Sequence, residues 1–329
     1  MATARDPIRL GVVGAGWING IHLAALERLG RTRVVGIASA HRAGAQALVD
    51  RHGGRAYEAL EPMLDEQRPE VLFVAVPPAA SVVICQTIVE SGIPFLVEKP
   101  LAATDAAGPA GLADAIAARP ELVVAVGYHL RSLEQLPEVR RRLADNPARL
   151  VAARWNGETP GTAWWRHADT GGGQVVEQAT HLYDLARHLV GEATVVGATA
   201  LHEHPAVPED ADVADATAAI LRFDSGAIGG LVNTRRQASA DIEIAFTSDG
   251  LATTIRKVDG APGDWEVVFR DESGTRVLPP GRDPYERQAE RFLDAVQAGD
   301  PAAVPCTYAD ALGTDRLTRS VVAATRSAP

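Results

Sequence analysis

Apolar and polar residues follow two different rhythms along this chain. In the first third, short continuous apolar runs alternate with stretches of helical spacing. Residues 8–13 predict a strand and 18–29 a helix ending at Gly30; 33–38 predict a second strand, followed by a helix to about Arg51 that stops at Gly53-Gly54. Residues 71–76, Val-Leu-Phe-Val-Ala-Val, form an unbroken run ended by Pro77-Pro78. Such β-branched runs suit strands buried on both faces of a parallel sheet. A helix over about 81–90 stopped by Gly92, a strand at 95–97, a helix over about 105–118 and a strand at 122–126 complete the series. Repeated βα alternation predicts an α/β unit with a doubly wound parallel sheet.

Past Val126 the rhythm changes. One helix is predicted around 133–143, then strands at 150–156, 194–201, 216–223, 227–234, 242–247, 251–258 and 265–270. Asp224-Ser225-Gly226 and Asp249-Gly250 read as hairpin turns. A helix over 175–189 interrupts the series, and one from Tyr285 closes it, with Ala289, Phe292, Leu293 and Val296 at helical spacing. This predicts an α+β domain on a mostly antiparallel, open-faced sheet. The expected division is a dinucleotide-binding Rossmann domain over 1–126 and a substrate-binding and oligomerisation domain over 127–329. There is no long-period repeat and no low-complexity linker.

A length of 329 residues agrees with two domains. The net charge of −10, from 32 basic and 42 acidic residues, argues against a partner held by a positive field, so neither nucleic acid nor an anionic membrane is expected. Cys85 and Cys306 alone make no disulfide framework and have no metal-like spacing around them. With no recognisable signal peptide and no apolar run of about 18 residues, a cytoplasmic protein is expected. Basic residues are used unevenly: 30 are Arg and only Lys99 and Lys257 are Lys. Arg keeps its proton in a protein, whereas a desolvated Lys can release it.

Gly14-Ala15-Gly16-Trp17-Ile18-Asn19 lies where the first strand turns into the first helix. Gly14 permits the tight turn, and Gly16 lets a pyrophosphate approach the helix N-terminus. The third position of the G-x-G-x-x-G pattern is Asn19, a departure expected to loosen helix–strand packing. The tip of the second strand reads Ala38-Ser39-Ala40-His41-Arg42. No carboxylate there would repel a 2′-phosphate, while a hydroxyl, an imidazole and a guanidinium are at hand, so NADP is expected in preference to NAD.

Lys99, within Glu98-Lys99-Pro100, follows the strand at 95–97, at the carboxyl edge where open α/β sheets bind ligands. Gly171-Gly172-Gly173 then enters the helix that carries Glu177, His181 and Asp184 at i, i+4 and i+7, which on one helix share a face. One His with two carboxylates is also a feasible metal set, but nothing else in the chain suggests a metal, and none is expected.

The GAG turn followed by His22, the Glu98-Lys99-Pro100 tripeptide and the GGG…Glu177-x3-His181-x2-Asp184 stretch together resemble the Gfo/Idh/MocA oxidoreductases. The resemblance covers nearly the whole chain. It implies a Rossmann domain joined to an open-faced sheet that builds a homodimer or homotetramer, and hydride transfer between NAD(P) and a secondary alcohol or ketone of a sugar, cyclitol or related polyol. It also implies that Lys99 bonds the reacting oxygen and His181 serves as acid/base. Asp184 matches the acid after the histidine. Glu177 stands where the family usually has Asp. An imidazole suits proton removal near neutral pH, a positive Lys99 would stabilise an alkoxide, and Asp184 or Glu177 would orient the ring.

Nucleotide contacts are expected from Gly14, Gly16, Trp17, Ile18, Ser39, His41, Arg42, Pro77, Glu98 and Lys99. Tyr128, Trp164, Trp165 and Arg166 are candidate substrate contacts, because aromatic faces stack on sugar C–H surfaces and Arg binds anionic oxygens. Trp155 belongs to the same crowding; subunit or core packing is the competing role. His202-Glu203-His204 reads as an exposed strand end. Two other functions stay open on this scaffold: an NAD-dependent glycosidase that oxidises its substrate only transiently, and a nucleotide-sensing regulator.

Overall fold

The computed structural model describes residues 6–202, 211–258 and 263–327. The chain begins β1 (Ile8–Val13), α1 (Trp17–Leu29), β2 (Thr32–Ala38), α2 (Arg42–His52), β3 (Arg55–Tyr57), α3 (Leu60–Gln67), β4 (Val71–Val74) and α4 (Pro78–Ser91). It continues with β5 (Phe95–Val97), α5 (Ala107–Ala117), β6 (Val124–Val126), α6 (Leu136–Asp145), β7 (Leu150–Glu158), α7 (Ala168–Gly171), α8 (Gly173–Glu177) and α9 (Thr180–Val190). Strands β8 (Ala193–Leu201), β9 (Ala216–Phe223), β10 (Ile228–Thr234), β11 (Arg236–Ser248), β12 (Leu251–Lys257), β13 (Trp265–Asp271) and β14 (Gly274–Leu278) follow, then α10 (Pro284–Ala298) and α11 (Tyr308–Ser327).

These elements form two compact units. The first holds the described residues up to Lys99, with Ala107–His129 and Tyr285–Tyr308; the second holds Pro100–Ala106, Leu130–Pro284 and the described residues from Ala309 on. The change of rhythm at Val126 therefore lies inside a stretch of the first unit, and the chain returns to that unit at Tyr285.

The first unit is built on a six-stranded sheet of order β3-β2-β1-β4-β5-β6, parallel throughout. Leu10, Val12, Phe73 and Leu96 pack in one core with Leu23 and Leu26 of α1 and Phe292 and Leu293 of α10. Helix α1 ends as expected: Gly30 is left-handed at φ 64° and its N–H bonds the Leu26 and Glu27 carbonyls. Helix α4 starts earlier than its apolar spacing suggests, because Pro78 occupies the first helical position, where its fixed φ helps and its missing N–H costs nothing. β3 and α3 fill a stretch in which no element is predicted.

The second unit has an eight-stranded sheet of order β14-β13-β12-β11-β7-β10-β9-β8. Its ladders are antiparallel except β7 with β10, and both expected hairpin turns join antiparallel neighbours. One face is covered by Leu136 and Val139 of α6, Leu182 and Leu185 of α9, and Leu317 and Val321 of α11. The other face leaves Leu150, Ile220, Ile228 and Val232 exposed. The register places Ile228 beside Leu150 and Gly230 beside both Ile220 and Ala152, an apolar and small-residue surface.

Three further elements, α7, β14 and α11, are not predicted. The helix expected over 175–189 is two helices: α8 is capped by Gln178 at φ −112° and ψ −59°, and the Ala179 N–H bonds the Gln174 carbonyl five residues back at 2.8 Å. That extra residue per turn is a π-type step. Glu203 and His204 lie outside the described residues. Among the described residues, no helix is long and apolar enough to cross a membrane.

Candidate functional site

In the first unit, β1 delivers the nucleotide turn to the carboxyl edge of the sheet. Gly14 has φ +97°, and a Cβ there would lie 2.0 Å from the Ala75 carbonyl oxygen, so no side chain fits. Gly16 caps α1 with no side-chain hydrogen bond, the first turn carries no acid, and among the described residues, chain neighbours aside, nothing lies within 4 Å of where a Gly16 Cβ would stand. Such an N-terminus keeps its N–H groups and positive dipole end for an anion, and these residues fit a pyrophosphate. Trp17 stands 71% exposed beside it, with Ile18 half-buried.

Asn19 behaves opposite to expectation. It is fully buried, and its Nδ2 donates to the Val13 carbonyl at 3.1 Å and the Gly14 carbonyl at 2.8 Å. The departure from the fingerprint therefore ties α1 to the turn where a loosening is predicted.

At the β2 tip, Ser39 Oγ accepts the His41 N–H at 3.2 Å. His41 and Arg42 are exposed. One carboxylate does reach this tip, from the loop after β3: Glu58, 3.6 Å from Arg42. Spacing along β2 alone could not reveal it.

Further along the same edge, exposed Pro77 lies between β4 and α4, and half-buried Lys99 follows β5. Glu98, expected at the nucleotide, is buried. Its Oε1 lies 2.8 Å from His22 Nε2, and its Oε2 accepts the Lys99 N–H at 3.2 Å. Tyr128 is 1% exposed.

In the second unit, Gly172 and Gly173 are both left-handed, at φ +77° and +78°. The tight GGG path starts α8 and, through the π-type step, α9. Gln174 fastens α8 to the sheet: its Nε2 donates to the Thr234 carbonyl at 2.9 Å, and its Oε1 accepts from Asn233 at 2.8 Å.

Because α8 and α9 are separate, the three titratable side chains do not form one stripe. Glu177 accepts the Trp165 indole N–H at 2.9 Å. His181, in the first turn of α9 and buried, stacks on Trp155 with ring centroids 5.7 Å apart. Asp184 bonds Arg131 through both oxygens, at 2.6 and 2.7 Å, and Oδ1 also accepts from Thr314 at 2.9 Å. Its oxygens are thus engaged away from the His181 ring. Arg131 also pairs with Asp310. Burial, the largest influence, pushes the Asp184 carboxyl above its usual range against the pull of Arg131. Partial burial also opposes a charged Asp310, but the combined pull of Arg131, Arg187 and His188 outweighs it and holds that carboxyl low.

Arg131 is the residue that motif reading passes over, since its partner Asp184 lies 53 residues further along the chain, on α9. Trp165 is 1% exposed, so its ring packs and its N–H is directed to Glu177, whereas Trp164 and Arg166 are half-buried. Among the described residues, no group of three His, Cys, Asp or Glu side chains is arranged to hold a metal.

Two family models and several solved structures resemble this chain. Residues 8–128 match the oxidoreductase family with an NAD-binding Rossmann fold named Gfo/Idh/MocA, and residues 147–251 match the C-terminal domain of the same family. Inositol 2-dehydrogenase of Rhizobium meliloti is 24% identical over 304 residues, 89% of each chain. A 3-ketoreductase from Actinomadura kijaniata, solved with NADP and TDP-benzene, superposes with a TM-score of 0.84 at 23% identity over 97% of this chain and 98% of its own. A levoglucosan dehydrogenase solved with NADH gives a TM-score of 0.85 at 20% identity over 98% of both chains. At those identities the two structures establish the shared fold. The chain belongs to the Gfo/Idh/MocA family of NAD(P)-dependent oxidoreductases.

Proposed function

We propose that the protein interconverts a secondary alcohol and a ketone on a sugar, cyclitol or similar small polyol, with NADP preferred over NAD. One observation carries this reading. Within the first unit, the anion-ready turn after β1 and Lys99 after β5 share the carboxyl edge of one parallel sheet, with β4 between their strands. Ligands of such sheets lie along that edge, at the point where strand order reverses. The nicotinamide, when bound, gives or takes the hydride.

The chain's own groups then have to manage the oxygen and its proton. Lys99 holds the oxygen and favours its negative charge in the transition state. His181 removes the hydroxyl proton in oxidation and returns it in reduction. Trp155 fixes the plane of that ring and offers an aromatic surface beside it. Asp184 serves His181 indirectly, by anchoring α9 through Arg131. Glu177 is directed by the Trp165 indole, and Trp164 and Arg166 are the remaining substrate candidates of that segment.

The cofactor preference rests on Ser39, His41 and Arg42. A 2′-phosphate would compete with Glu58 for the Arg42 guanidinium, an exchange from an exposed ion pair of small worth to a charge-assisted bidentate contact. Titration with NADPH and NADH, followed by nicotinamide fluorescence, should show tighter NADPH binding. The double variant Ser39→Asp/Arg42→Ala should reverse that order, and an unchanged preference would reject the assignment.

The open face of the eight-stranded sheet supports a homo-oligomer. Turnover on a panel of polyols and keto-sugars tests the chemistry: Lys99→Ala and His181→Ala should each lose several orders of magnitude with NADPH affinity nearly intact. Wild-type turnover in either variant would defeat the mechanism.

A further inference from the structure

The carboxylate of Glu98 is buried in the first unit, where its hydrogen-bond partners among the described residues are His22 and the main chain of Lys99. A buried carboxylate is costly unless its oxygens are met. Here each oxygen has a donor: His22 Nε2 at 2.8 Å on Oε1 and the Lys99 N–H at 3.2 Å on Oε2. With the carboxylate as acceptor, this contact is the one made by the His22 tautomer that bears its N–H at Nε2. His22 is itself confined. Its ring meets Phe73 edge-on at 5.4 Å and Tyr285 at 5.6 Å, and Tyr285 stacks on His129 at 4.3 Å.

The main chain around Lys99 is held in the same way. The Glu98 N–H bonds the Val74 carbonyl and the Gly127 N–H bonds the Val97 carbonyl, both at 2.8 Å. Gly127 also makes room for the acid, because a Cβ there would stand 2.6 Å from the Glu98 carboxyl carbon. The turn that leaves β5 is therefore tied at once to β4, to the start of the loop after β6 and, through the carboxylate, to α1.

We infer that His22 and Glu98 are positioning residues for Lys99: the buried pair fastens the peptide at residue 99 to α1 and so sets the root from which the lysine side chain extends. This rests on the reading of Lys99 as the group that holds the reacting oxygen. A displacement of about 1 Å at such a group costs on the order of 100-fold in rate, which is the reason for fixing the base of a flexible four-carbon stem so firmly.

The chain's two lysines allow a test that needs no substrate. Reductive methylation with 13C-formaldehyde labels Lys99, Lys257 and the N-terminal amine, giving separate dimethylamine signals by NMR, with Lys257 as an internal control in the other unit. Glu98→Gln and His22→Ala should move or broaden the Lys99 signal and leave Lys257 unmoved. His22→Gln, which retains an N–H donor, should restore the wild-type position. Gly127→Ala keeps both side chains but crowds the carboxylate, and should displace the Lys99 signal even if Glu98→Gln does not fold. A Lys99 signal unmoved in Gly127→Ala and His22→Ala overturns the inference. So does a Glu98→Gln protein that loses NADPH affinity with its Lys99 signal unchanged, since Glu98 would then serve the nucleotide. Wild-type turnover by Lys99→Ala would instead reject the catalytic reading of Lys99, leaving the NMR result intact.

Discussion

Replacing Asn19 by Ala gives the nucleotide turn the small residue its fingerprint favours, so pattern alone predicts an improved site. Geometry predicts the reverse. The Asn19 amide donates to the carbonyls of Val13 and Gly14 at 3.1 and 2.8 Å, with Ala75 more distant at 3.4 Å. Each good bond is worth about 1 kcal/mol net, and a buried acceptor left unmet costs about 1–3 kcal/mol. Against this, Asn19 Oδ1 is buried with no partner among the described residues, and Ala removes that burden. The expected loss is about 1–3 kcal/mol. If binding must then order the turn, the same amount is subtracted from nucleotide affinity, about 5- to 150-fold in Kd. Asn19→Asp keeps the shape but turns acceptors toward carbonyl oxygens, so it should be worse than Ala. Urea unfolding and NADPH titration of the three proteins measure both quantities. Stability within about 0.5 kcal/mol of wild type, with NADPH binding equal or tighter in Asn19→Ala, would refute the reasoning.

Breaking the buried Arg131–Asp184 pair by Arg131→Met strands a carboxylate and should cost about 3–5 kcal/mol; the double replacement Arg131→Met/Asp184→Leu should recover part of that loss in the same unfolding assay. On the open sheet face, Ile220→Arg or Val232→Glu should lower the sedimentation coefficient to that of a monomer, with far-UV circular dichroism unchanged. An assembly unaffected by both would remove that face as the interface.

The parallel half of the fold is legible because its strands are continuous apolar runs and its helices stop at glycines such as Gly30 and Gly92. What escapes has physical causes. β3 has only three residues, Arg55–Tyr57, too few for a period. In α11, Thr314, Asp315 and Thr318 are buried alongside Leu317 and Val321, so polar residues on the inner face hide the apolar spacing. Glu177, His181 and Asp184 have helical spacing in sequence, yet the π-type step at Gln178–Ala179 separates the first from the others. The destination of each carboxylate is equally hidden, because Glu98 meets a histidine of α1 and Asp184 an arginine that precedes α6. Residue types at the site can be read from the sequence, whereas their partners are set by contacts distant in sequence.

The return of residues 285–308 to the first unit bears on how the protein is made. On the ribosome, all six parallel strands emerge long before α10, whose Phe292 meets Phe73 at 5.6 Å and whose Tyr285 meets His22. Until α10 arrives, the apolar surface it covers has no partner, while the whole second sheet is still being synthesised. Completion of the nucleotide-binding unit is therefore a late event in the life of the chain. A fragment ending at His129 would be an aggregation-prone piece, not a separable domain.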